Sequence, residues 1–196
     1  MAGAATKADD TIKIIKILCH GDKVFELTHE EACVSEIWQT ALATGVAQLP
    51  NPDITDETMQ TVIKFCKQYA SDSAAAAAAA AATAAAADDD DMSDGTFRLI
   101  IKKPLKSREM SENLPEGQWS YVSFVNDMDK DTLFVLLEVA TKLKIEQLRE
   151  LTCAKLASMI KGKTPDEIRA EFNIVNNYTP EEEKKIEAEN AWMREI

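Results

Sequence analysis

The sequence predicts a mixed α/β chain of the α+β kind, with early strands followed by helices, and three observations carry that prediction. Residues 11–27 alternate apolar and polar side chains on both sides of a short turn, the period of a strand pair. Leucines at helical spacing dominate residues 133–159. A Thr-x-x-Glu start signal recurs at Thr28, Thr164 and Thr179, and each copy marks a helix N-terminus.

Taken in order, Thr-Ile-Lys-Ile-Ile-Lys-Ile-Leu over residues 11–18 is β-branched, Cys-His-Gly-Asp supplies a turn, and Lys-Val-Phe-Glu-Leu over residues 23–27 returns as the second strand of a hairpin. The capping box at Thr28 opens a helix whose apolar stripe is Ile37, Trp38, Ala41 and Leu42. Residues 46–52 are expected to be extended, because each proline disfavours helical geometry in the residue before it. Thr55 then starts a helix with Met59, Val62, Ile63 and Cys66 on one side.

Composition changes at Ser71, where thirteen alanines around Thr83 are followed by Asp88 to Asp91. Alanine favours helix, but this tract has no large side chain to bury and its aspartates would sit at a negative helix end, so residues 71–115 read as a surface insertion loop. As a loop it is expected to be dispensable, since closure entropy changes slowly with length. Residues 97–108 within it carry five bases and no acid. Beyond it, Leu133, Leu136, Leu137, Ala140 and Leu143 line one helix, and Leu148, Leu151, Leu156 and Met159 line a second, from which Lys155 snorkels to water.

The last stretch repeats one design. Thr164-Pro165-Asp166-Glu167 and Thr179-Pro180-Glu181-Glu182 each put Thr at the N-cap, Pro at the first helical position and acids in the first turn. The two short helices that follow carry Ile168, Phe172 and Ile174, then Ile186 and Trp192, on too little chain to bury them alone. A partner is expected to cover them.

Several function classes are excluded. At 45% hydrophobic and 29% charged, a 196-residue chain is neither fibrous nor wholly disordered. A net charge of -12 repels phosphate, so neither nucleic acid nor membrane is an expected partner. The longest apolar run falls short of the roughly 18 residues of a membrane span, and the N-terminus lacks a signal-peptide core, so a cytoplasmic and nuclear location is expected. Cys19, Cys33, Cys66 and Cys153 read as reduced structural thiols. Gly162-Lys163-Thr164 resembles the end of a phosphate loop, but Ala157 stands where its first glycine belongs. Cys19, His29 and Cys33 lack a fourth ligand. No enzyme, catalytic residue, cofactor or metal centre is predicted.

Residues 151–169, ending Met-Ile-Lys-Gly-Lys-Thr-Pro-Asp-Glu-Ile-Arg, with Phe172-Asn173-Ile174 after them, closely resemble the S-phase kinase-associated protein one family, the F-box adaptors of SCF ubiquitin ligases. Shorter likenesses lie at Asn190-Ala191-Trp192, Thr132-Leu133-Phe134, Leu49-Pro50-Asn51, Ile63-Lys64-Phe65-Cys66 and the strand at residues 23–27. The resemblance implies a BTB/POZ-like domain with two additional C-terminal helices. Its boundaries would be residues 11–70 and 116–161 for that domain, 71–115 for the insertion and 162–196 for the F-box-binding helices.

The resemblance also implies a non-catalytic role and particular residues. F-box proteins would be bound by Leu148, Leu151, Leu156, Met159, Ile160, Ile168, Phe172, Ile174 and Trp192, with internal core an equal reading for Leu148, Leu151 and Leu156. A cullin scaffold would meet Thr141 and Lys142, where family members usually carry Asn-Tyr, so that contact is expected to be altered. Pro165 matches a proline that is hydroxylated and then glycosylated in some protists. An F-box scaffold that works without a cullin is the alternative reading.

Overall fold

The computed structural model describes residues 14–20, 23–46, 48–51, 53–83 and 97–191, and the chain divides into two units, Met1–Met159 and Ile160–Ile196. In the first unit β1 (Ile14–Leu18) pairs antiparallel with β2 (Val24–Thr28), setting Ile15 opposite Leu27 and Lys16 opposite Glu26. Ile15, Ile17 and Leu27 are fully buried, while Lys16 and Glu26 form an exposed cross-strand ion pair at 3.1 Å. A one-residue slip would turn both faces over, so burial sets the register. The expected hairpin is present, although residues 11–13 and 21–22 lie outside the described residues.

The Thr28 capping box opens α1 (His29–Ala32): the Thr28 N–H donates to Glu31 Oε2 at 3.0 Å, and the Glu31 N–H donates to Thr28 Oγ1 at 3.4 Å. Helix α2 (Glu36–Ala43) buries Trp38 and Ala41 but leaves Ile37 exposed, a narrower stripe than the spacing predicts. Strand β3 (Gln48–Pro50) then lies parallel to β1, giving the sheet order β2-β1-β3. Its extended backbone is what the prolines dictate.

Helix α3 (Asp56–Thr83) corrects the insertion reading at its first end, for it runs 28 residues and continues through the alanines. The cause is tertiary anchoring beyond residue 70. The Tyr121 hydroxyl donates to Asp72 Oδ2 at 2.7 Å, and Phe65, Tyr69, Phe97 and Tyr121 form a chain of ring contacts 5.2 to 6.2 Å between centroids. Once the helix is pinned there, alanine propensity carries it onward, each residue adding one hydrogen bond for two dihedrals fixed.

The other end of that stretch is corrected too. Leu99, Met110 and Leu114 are buried, and Asn113 is fully so. Residues 97–115 therefore belong to the fold, held by amide side chains rather than by a neighbouring strand. Gln118 accepts from the Ile100 N–H at 2.8 Å and donates to the Arg98 carbonyl at 2.8 Å, and Gln147 accepts from the Leu99 N–H at 3.0 Å. Residues 84–96, with the aspartate run, lie outside the described residues.

Helices α4 (Met110–Asn113), α5 (Trp119–Asn126), α6 (Lys130–Lys142) and α7 (Glu146–Ile160) complete the unit. In α6 the predicted stripe is buried at Leu133, Leu136 and Ala140 and at Leu143 after it, while Leu137 is half-buried and Val139 joins the core instead. Lys155 reaches past its helix to donate to Asn126 Oδ1 at 2.8 Å. In the second unit, α8 (Pro165–Phe172) and α9 (Pro180–Glu189) start where the two Thr-Pro signals place them.

Candidate functional site

Both helices of the second unit begin with a complete capping box. The Thr164 N–H donates to Glu167 Oε2 at 2.8 Å and the Thr179 N–H donates to Glu182 Oε2 at 2.9 Å, while each threonine Oγ1 accepts from the glutamate N–H at 3.3 Å. Hydrogen bonds from the Thr179 backbone and hydroxyl hold the Glu182 carboxyl below the usual glutamate range. Pro165 and Pro180 occupy first-turn positions where a missing N–H costs nothing. Asn173 ends α8 in the left-handed region at φ 52°, so the Ile174 N–H reaches back to the Arg169 carbonyl at 2.8 Å.

Polar contacts, not a core, tie these helices together. Arg169 Nη1 donates to Asp166 Oδ1 at 2.8 Å and to Glu183 Oε1 at 3.3 Å, the second bond linking α8 to α9. Asn176 Nδ2 reaches the same Glu183 oxygen at 3.0 Å, and Lys163 pairs with Glu171 at 2.9 Å. Among the described residues of this unit none is buried. Ile168 and Phe172, one helical turn apart on α8, are half-buried; Ile160 and Ile174 are exposed. Trp192 lies outside the described residues.

Two exposed residues here escape a reading based on helical spacing: Val175 at 77% and Tyr178 at 58% exposure. They stand in the connection between α8 and α9, where no helical period reaches. The signal that finds them is the run Ile-Val-Asn-Asn-Tyr itself, apolar residues in a connector with no element to bury them.

In the first unit the expected docking residues separate. Leu148 and Leu151 have no exposed surface and Leu156 is nearly as buried, so they form internal core, one of the two readings that the sequence left equal. Packing explains it: α7 turns that face inward, and the Thr152 hydroxyl between them is satisfied by the Leu148 carbonyl at 2.9 Å. Met159 is half-buried at the end of the same helix.

Thr141 and Lys142 end α6 on its outer side. The Thr141 hydroxyl donates to the Leu137 carbonyl at 2.8 Å, and Lys142 Nζ pairs with Glu138 Oε1 at 2.9 Å, a hydrogen bond and charge that hold the ammonium above its ordinary pKa. Phe134 and Val135 lie off the leucine stripe of α6, at 47% and 46% exposure.

Residues 146–193 match the model of the Skp1 family, dimerisation domain. The chain is 30% identical over 183 residues to the S-phase kinase-associated protein 1 homolog of Tetrahymena thermophila, covering 92% of this chain and 94% of the relative. It is 28% identical over 187 residues to the SCF ubiquitin ligase complex protein SKP1b of Dictyostelium discoideum, covering 94% and 98%. It is 35% identical over 196 residues to SKP1-like protein 20 of Oryza sativa subsp. japonica, covering 99% of each. Identities of 30% and 35% carried across more than nine-tenths of the chain and of these relatives place the chain in the Skp1 family.

Proposed function

We propose that this protein is a non-catalytic adaptor linking F-box substrate receptors to a cullin-RING ubiquitin ligase of the SCF type. The observation that carries the reading is the second unit, where large apolar side chains stand exposed and none among the described residues is buried. A helix pair without its own core gains its burial from a partner. The Dictyostelium relatives, named SCF ubiquitin ligase complex proteins, supply the assembly. We read the first unit as BTB/POZ-like, and Ile160, Ile168, Phe172, Ile174 and Trp192 as the F-box contacts, with Met159 beside them in sequence and Val175 and Tyr178 added.

The chemistry supports a role without catalysis. Among the described residues, Cys33 Sγ lies 3.6 Å from His29 Nε2 at a cavity of about 540 Å³. Burial, and then the charge of Glu30, push that thiol above its ordinary pKa, so it stays protonated and is a poor nucleophile at neutral pH.

A second reading, an F-box scaffold that works without a cullin, is favoured by Lys142. Tyrosine is a typical interface anchor, whereas a lysine already paired with Glu138 must be desolvated to dock. A pull-down followed by mass spectrometry separates them: F-box proteins with a cullin and a RING subunit support the ligase, and F-box proteins alone support the scaffold. Changing Thr141→Asn with Lys142→Tyr is expected to tighten binding to a typical family cullin and to leave F-box affinity unchanged.

We further propose Pro165 as a modification site, since it is exposed at the start of α8. An intact mass of cell-derived protein without an added oxygen or sugar removes that proposal.

A further inference from the structure

We propose that the exposed face of residues 98–108 docks an acidic polypeptide segment of a partner protein, one that carries an apolar side chain among its carboxylates. The sequence sets the problem: five bases and no acid fall within residues 97–108 of a chain whose net charge is -12. A run of like charge beside buried residues is costly to hold together, and here hydrogen bonds with Asn113, Gln118 and Gln147 fix its backbone.

The frame comes from the amide side chains. Leu99 is buried, so its neighbours Arg98 and Ile100 point outward, with Ile100 at 58% exposure. Asn113 then ties down the middle of the basic stretch: its carbonyl accepts from the Lys102 N–H at 2.9 Å, and its Oδ1 accepts from the Lys106 N–H at 2.7 Å. The backbones of Lys102 and Lys106 are thereby both fixed to one buried residue. Trp119, next to the Gln118 that clasps residues 98 and 100, adds a second exposed apolar side chain at 53%.

The charges on this face are largely unspent. Lys103 pairs with Glu150 at 3.0 Å, but Arg98, Lys106 and Arg108 make no ion pair among the described residues. Lys102 Nζ donates to the Glu112 carbonyl at 3.1 Å and makes no ion pair among the described residues. Glu109 and Glu112 end the basic stretch.

The mode of recognition follows from the backbone. The N–H groups of Leu99, Ile100 and Lys102 and the carbonyl of Arg98 are already bonded, so a partner does not add as a strand at those groups. It is read by side chains: carboxylates against Arg98, Lys102, Lys106 and Arg108, and an apolar residue against Ile100. A peptide is favoured over nucleic acid because the exposed Ile100 offers an apolar contact that a phosphate backbone does not use, and because a phosphate chain running past the basic stretch meets the acidic remainder of a chain of net charge -12.

The test is fluorescence anisotropy of the full chain with a labelled peptide of sequence Glu-Asp-Glu-Leu-Phe-Glu-Asp-Glu, at low and at physiological salt. Binding that weakens with salt is expected. It should fall about tenfold or more when Arg98, Lys102, Lys106 and Arg108 are all changed to Ser, and about threefold with Ile100→Ser. These side chains are exposed, so the melting temperature and F-box binding of both variants are expected to stay near those of the parent. Exchanging Arg98→Lys and Arg108→Lys preserves charge and should retain most of the affinity. No binding at low salt, equal binding by the serine variant, or tighter binding of a single-stranded oligothymidylate of similar length overturns the proposal.

Discussion

Ser35 and Leu143, 108 residues apart, are joined by a buried hydrogen bond in which the Ser35 hydroxyl donates to the Leu143 carbonyl at 2.5 Å. The same oxygen accepts from the Trp38 N–H at 3.3 Å and so caps α2. One side chain thus starts a helix near the N-terminus and satisfies the carbonyl that follows α6. Ser35→Ala removes the cap and strands a buried acceptor, and is expected to cost about 2 to 3 kcal/mol. Urea unfolding with an unchanged slope checks it; a loss below about 0.5 kcal/mol would show that the junction is held by packing alone.

Asn113 is the polar centre of residues 97–115. Fully buried, it accepts from the Lys106 N–H and donates to the Ser107 and Glu109 carbonyls at 2.8 and 3.0 Å. Asn113→Ala leaves these groups without partners and is expected to destabilise the protein by about 2 kcal/mol or more, a drop visible in thermal melts. A neutral result would restore the view of this stretch as a dispensable loop.

Lys144 occupies the position after the cap of α6 at φ 51°, where the next N–H, that of Ile145, bonds the Ala140 carbonyl at 2.9 Å. Glycine is the usual residue there because a Cβ is strained at positive φ. Lys144→Gly is expected to raise stability by up to about 1 kcal/mol, even though it deletes the exposed ion pair with Glu36 at 3.5 Å, worth about 0 to 0.5 kcal/mol. Calorimetry decides: a lower melting temperature would mean that the ion pair outweighs the strain.

Acid should loosen α9 from its first turn. The Glu182 carboxyl is held below its ordinary value by Thr179, so its stabilising effect is complete above the unfolded glutamate pKa and is lost as pH falls through the depressed folded value. Amide exchange at the start of α9 is expected to quicken below the ordinary glutamate range. Glu182→Gln cannot ionise and should flatten that dependence; an unchanged pH profile in this variant would assign it to another group.

The exposed connector should matter for partners and not for folding. Val175→Ser with Tyr178→Ser changes side chains that are 77% and 58% exposed, so the melting temperature is expected to shift little. F-box peptide affinity is expected to fall about tenfold or more, as for desolvated anchors. Unaltered affinity measured by calorimetry would confine the contact to Ile160, Ile168, Phe172, Ile174 and Trp192.

The sequence by itself determined whatever depends on neighbours a few residues apart. The capping boxes at Thr28, Thr164 and Thr179 are local, because a threonine and the glutamate three residues on need no distant partner, and the hairpin and the apolar stripe of α6 are legible as periods of two and 3.6. Tertiary structure alone decided what depends on contacts across many residues. The alanine tract became the end of α3 because Tyr121 holds Asp72, and residues 97–115 entered the fold because Gln118 and Gln147 supply the hydrogen bonds that a strand would otherwise give. Leu148, Leu151 and Ile174 are equally apolar in sequence. Only packing makes the first two core and leaves the third in water, since burial is a property of what surrounds a side chain rather than of the side chain.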